Sequence, residues 1–141
     1  MLFDGDDGLI NDIFLGIDNS EVDLVDVKEG FLRGNMFKDE YIPYRNLSYE
    51  EIKVKSDRDA KLLNVMQYEF AINDLNLYLD VHPNDKYALN EFNRLVEEVE
   101  KVKEEYVKLY GPLEVCDNIF DKFKWIDNPW PFEDDGGSMY V

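Results

Sequence analysis

The pattern that most limits what this chain can become is a pair of long apolar-periodic runs joined at His82-Pro83-Asn84-Asp85. Four residues are too few to carry the second run anywhere except back along the first. Residues 56–111 are therefore expected to form an antiparallel helical hairpin. After Pro83 the apolar side chains fall at Ala88, Phe92, Leu95, Val99, Val102, Tyr106 and Leu109, in alternating steps of four and three. That spacing draws one continuous seam along a helix from about Asn84 to Tyr110, with a charged, solvated back that includes Glu97, Lys101, Glu104 and Lys108. Gly111-Pro112 supplies the stop, a glycine free of the Cβ penalty followed by a residue that cannot continue a helix.

The first helix is expected to start at Ser56-Asp57-Arg58-Asp59, which resembles a capping box with an acidic fourth residue. Its apolar residues do not form one stripe. Leu63, Met66, Phe70, Leu77 and Val81 project to one side, and Val65, Tyr68, Ile72, Leu75 and Leu79 project nearly opposite. A single hairpin partner covers only one of these faces. The other requires the flanking segments or another chain, and an isolated pair of helices of this length is marginal.

Two aromatic segments flank the hairpin. Residues 30–47 interleave Phe31, Phe37, Tyr41 and Tyr44 with Gly30, Gly34 and Pro43, a density of glycine and proline that argues against a regular helix throughout. Residues 113–133 carry Trp125, Trp130 and Phe132, with Pro129 and Pro131 holding the backbone extended around Trp130. Each segment either packs on its own domain or anchors a neighbour through aromatic hot spots. Phe31, Phe37, Tyr41, Tyr44, Trp125, Trp130 and Phe132 are accordingly the candidate partner-binding residues. Fold class is all-α: a two-helix antiparallel hairpin with irregular aromatic flanking segments packed on it. The expected divisions are an acidic arm over 1–29, disordered or acting as a docking peptide; an aromatic segment and polar connector over 30–55; the hairpin with its aromatic tail over 56–134; and a frayed end over 135–141.

Charge narrows the partners. The formal net charge is −17, from 15 Lys and Arg against 32 Asp and Glu. A phosphate backbone or anionic membrane face needs a cationic footprint, so neither nucleic acid nor membrane is an expected partner. A basic protein surface is electrostatically better. Cys116 is the one cysteine, which removes any internal disulfide framework and leaves cytosolic synthesis as the default. No apolar run reaches the length of a membrane span.

Catalytic chemistry finds little footing. Asp80, His82 and Asp85 form a D-x-H-x-x-D cluster around the one histidine, but they straddle a turn where Asn84 or Asp85 has capping work to do. Cys116 lies a full helix length from His82. No E-x-x-H pair, P-loop, G-x-S-x-G or H-E-x-x-H occurs. The expectation is no catalytic, cofactor-binding or metal-binding residue. A small metal or thiol enzyme built on that cluster or on Cys116 is the less favoured alternative, and an acidic accessory or inhibitor of a basic protein is another.

Three ordered motifs carry a resemblance. DLNLYLDVHPNDKYALNEF at 74–92, KEEYVKLYGPL at 103–113 and WIDNPWPFE at 125–133 resemble the CotJB family of spore coat proteins, over residues 57–133. Upstream, Gly34, Phe37, Tyr41, Pro43 and Tyr44 match a G-x-x-F-x-x-x-Y-x-P-Y pattern similar to the CotJA-type coat proteins. The resemblance implies a structural component of the endospore coat, an adaptor in shell assembly. Its implied partner is a di-manganese catalase-like protein of ferritin fold, and homo-oligomers are a further possibility. It brings no catalytic or metal residues, and the acidic arm has no counterpart in it.

Overall fold

The computed structural model describes residues 22–39, 45–46, 48–117 and 119–127. Among these the fold is all-α, with α1 (Val27–Arg33), α2 (Asp57–Val81), α3 (Lys86–Tyr110), a 3-10 turn at Lys124–Ile126 and no strand. No helix among the described residues is long and apolar enough to cross a membrane.

Local chemistry sets the ends of the long helices. Ser56 caps α2 by accepting from the Asp59 N–H at 3.1 Å, and Asp59 reaches back to the Lys55 N–H rather than to Ser56 itself. The turn closes when the Asp85 N–H donates to the His82 carbonyl at 3.1 Å. Asp85, not Asn84, caps α3: one carboxylate oxygen accepts from the Ala88 N–H and the other from the Tyr78 hydroxyl. One side chain thus starts the second helix and ties it to the first.

At the far end, the Arg58 Nε donates to the Tyr106 hydroxyl at 3.2 Å, Lys61 pairs with Glu105, and the Tyr110 hydroxyl donates to Asp57. The start of α2 therefore lies beside the end of α3, and the two run antiparallel. Gly111 ends α3 at φ 106°, a value strained for any L side chain.

The core divides into two clusters along the helix pair. Nearer the turn, Ala71, Leu75, Ala88 and Leu95 bury against Met36 and Phe37 from the N-terminal flank. At the open end, Leu62, Val65, Tyr106 and Val107 bury against Leu113, with Phe120 alongside. Both flanks therefore supply core side chains.

Two expectations change here. Residues 22–29, assigned to the acidic arm, are packed, and α1 runs across the boundary drawn at residue 29. Asp26 makes this possible by accepting from the N–H groups of Lys28 and Glu29, while Gly34 ends the helix with a left-handed φ of 73°. Gly30 lies inside this short helix and Gly34 ends it, so the glycines of the stretch do not prevent one. Residues 1–21 and 135–141 lie outside the described residues. In the seam of α3, Leu109 is 58% exposed, and Val107 is buried in its place against Leu113.

Candidate partner interface

Phe31 and Phe37 are spent inside the chain. The Met36 N–H donates to the Asp74 carboxylate at 2.8 Å, which pins the segment on α2. Leu24 and Phe37 bridge, and the Val25 N–H donates to the Met36 carbonyl, so residues 22–38 close into a compact clip. Phe37 is 7% exposed, its ring 4.8 Å from that of Tyr78. Phe31 is half-buried and meets Phe70 edge to face at 5.8 Å. Part of the second face of α2 is covered this way, at Phe70. Farther along, Leu77 and Val81 remain exposed.

The C-terminal flank is different. Leu113 and Phe120 contribute to the open-end cluster, but Leu109, Val115, Ile119, Phe123 and Ile126 are exposed, Ile126 at 71%. Trp125 is half-buried and lines a cavity of 330 Å³ with Tyr106, Tyr110, Phe120 and Lys124. The Lys124 ammonium stands 4.1 Å over the Phe120 ring. Of the candidate partner-binding residues, then, Phe31 and Phe37 pack internally and Trp125 borders an open cavity. Tyr41, Tyr44, Trp130 and Phe132 lie outside the described residues. Sequence reasoning passed over Leu109, Phe123 and Ile126. The signal for Leu109 was the Gly-Pro stop two residues on, which turns the chain off toward Val107.

The groups with chemical potential have structural occupations. His82 stacks on Tyr78 with ring centroids 4.2 Å apart and its Nδ1 lies 3.2 Å from the Tyr78 carbonyl; Asp85 is the cap described above, and Asp80 is exposed. Glu114, Cys116 and Asp117 bring one possible ligand atom each within 4.8 Å of one another. Lys103 already supplies a cation there, at 3.0 Å from Glu114 and 3.4 Å from Asp117. Burial pulls the Lys103 ammonium down, but the hydrogen bond to Glu114 and the two carboxylate charges outweigh it and leave its pKa raised. The Cys116 thiol donates to Glu114 at 3.3 Å, and that bond, with some burial, raises its pKa too. A thiol held protonated beside carboxylates is a poor nucleophile.

The first two motifs thus hold the residues that make the turn, the Gly-Pro stop and the buried Leu113, and the third falls within the described residues only over 125–127. A family model described as CotJB protein matches residues 59–133. The chain belongs to the CotJB family. CotJB is a family of spore coat proteins, and the matched span takes in α2, α3 and the C-terminal flank. Comparison with curated proteins and with solved structures gives no match. The clip formed by residues 22–38 lies before the matched span yet seats itself on a CotJB helix through Asp74, Phe70 and Tyr78.

Proposed function

We propose that this CotJB protein is a non-enzymatic assembly component of the spore coat. In this account it is an adaptor whose helical hairpin is completed by its own N-terminal clip and whose C-terminal flank meets another coat protein. The carrying observation is the contrast between the flanks. Phe31 is half-buried and Phe37 buried, whereas Leu109, Phe123 and Ile126 are exposed, Leu109 at a cavity that Trp125 also lines and Phe123 and Ile126 in the 3-10 turn segment that carries Trp125. Exposed apolar side chains gathered at one end are the usual mark of a surface that another protein covers.

The partner most in keeping with the resemblance is a di-manganese catalase-like protein of ferritin fold. The CotJA-like pattern has a local role in this scheme: Gly34 ends α1, Phe37 fills the core, and the clip acts as a built-in companion to the CotJB helices. Co-expression with the catalase-like coat protein, followed by size-exclusion chromatography, tests the proposal. Wild type is expected to co-elute, and the double variant Phe123→Ser with Ile126→Ser is expected to separate while keeping its helical circular dichroism. Wild type eluting alone would overturn it.

The net charge of −17 favours a second possibility, an acidic accessory to a basic protein. Such a complex would dissociate at moderate salt, because exposed charges are screened over about 10 Å at 0.1 M. Apolar docking persists.

A further inference from the structure

Residues 48–55, Ser-Tyr-Glu-Glu-Ile-Lys-Val-Lys, lead into α2 without belonging to any element. Among the described residues, no backbone hydrogen bond engages 48–54. None of the eight has a positive φ. The stretch is held mainly by Lys28, whose ammonium lies 2.8 Å from Glu51. It does not seal onto the helices: a cavity of 540 Å³ opens beside Ile52 and Val54, with Leu32, Leu63 and Val102 among its other walls. Tyr49 and Val54 are exposed. A run with strand-forming side chains, alternating Ile-Lys-Val-Lys and backbone groups left unpaired as far as Val54 is an open edge.

An open edge takes another extended chain, and the charge order says which one. Glu50 and Glu51 lead, and Lys53 and Lys55 follow, so the segment is locally neutral in a chain of net charge −17. Parallel self-pairing in register would set each of these charges against its like. Antiparallel self-pairing sets acid against base. Directly opposed residues share a face of the ladder, so gathering Ile52 and Val54 of both copies on one face requires even residues to oppose even ones. Centring the axis on Glu51 would oppose two glutamates, and centring it on Lys53 would oppose two lysines. Centring it on Ile52 sets Glu51 against Lys53 twice, Tyr49 against Lys55 and Glu50 against Val54, with no like charges opposed.

We propose that residues 49–55 pair antiparallel with the same segment of a second copy about a two-fold axis at Ile52, forming a two-stranded homodimer junction. The junction is separate from the C-terminal flank and does not depend on the coat partner proposed above.

Sedimentation equilibrium on the full chain tests it, with K53E, the double variant K28E/E51K, which keeps the tether between residues 28 and 51 with its charges exchanged, and an equimolar mixture of the two. All three side chains are exposed, so the helices persist in each variant, as circular dichroism would verify. The wild type is expected to dimerise reversibly. Each variant alone opposes like charges twice and is expected to associate about tenfold more weakly. In the mixture, the K53E copy presents acid at both positions and the K28E/E51K copy presents base at both, so opposite charges face each other again and association is expected to return as heterodimer. A wild type that stays monomeric up to about 1 mM, variants that dimerise as the wild type does, or a mixture no better than its components would each overturn the proposal.

Discussion

At Gly30 two effects of one methyl group compete. The residue sits inside α1, where alanine would ordinarily gain about 1 kcal/mol over glycine. A Cβ there would collide with the Met36 sulfur. Met36 is 2% exposed and its backbone is fixed by Asp74, so the sulfur moves aside only by repacking a buried side chain. Overpacking of this kind costs about 1–3 kcal/mol, and the collision outweighs the propensity gain. Gly30→Ala is expected to lower the urea midpoint; a raised midpoint would show that Met36 repacks freely.

Cys116 offers a second test at the same scale. Its thiol is held protonated by Glu114, so alkylation by iodoacetamide near pH 8 is expected to be slower than for a free cysteine, and Glu114→Gln is expected to speed it up. The Glu114 carboxyl itself lies below the usual glutamate range because Lys103 and the Cys116 thiol donate to it. A depressed carboxyl contributes stability above its unfolded pKa and loses it as pH falls through the folded one. The stability gap between wild type and Glu114→Gln is therefore expected at neutral pH and should close in acid. Denaturant melts at several pH values measure that gap.

At the scale of elements, what was legible was local. Pro83 and Asp85 lie within the turn they make, Ser56 is adjacent to the helix it caps, and Gly111 to the one it ends, so each can be read without knowing the rest of the fold. The conflict between the two faces of α2 was legible too, because it is a property of one helix. What covers them was not, since Met36 reaches Asp74 across 38 residues and no local pattern encodes that contact. The short helix α1 escaped notice because its caps, Asp26 and Gly34, sit in a stretch whose glycines read as breakers. The clip makes a prediction of its own. Phe37→Ala removes a buried ring and is expected to cost about 3–5 kcal/mol. Asp74→Ala leaves the Met36 N–H without its partner, at about 1–3 kcal/mol. Thermal melts should show both losses; wild-type stability in both would mean that the clip is not part of the folded unit.

For the whole molecule, charge and apolar surface point in different directions. Most of the acidic excess is spread over solvated faces. Exposed apolar groups lie beside the turn, at Leu77, Val81, Tyr87 and Leu89, and in a longer series from Leu109 through the C-terminal flank. The family motifs lie in the helices and that flank, whereas the N-terminal clip is an added piece that completes the core. The sequence had marked both aromatic flanks as candidates for docking, because aromatic content alone does not distinguish a buried ring from a displayed one. Burial separates them: inward for Phe37, outward for Phe123 and Ile126.

Amide hydrogen exchange of the protein, alone and bound to the catalase-like coat protein, reads that division directly. The Val25 and Lys38 amides, bonded within the clip, should be protected already in the free protein and unchanged on binding. Protection should be gained over residues 109–127. Gain of protection in the clip, or none in the C-terminal flank of a formed complex, would contradict the account.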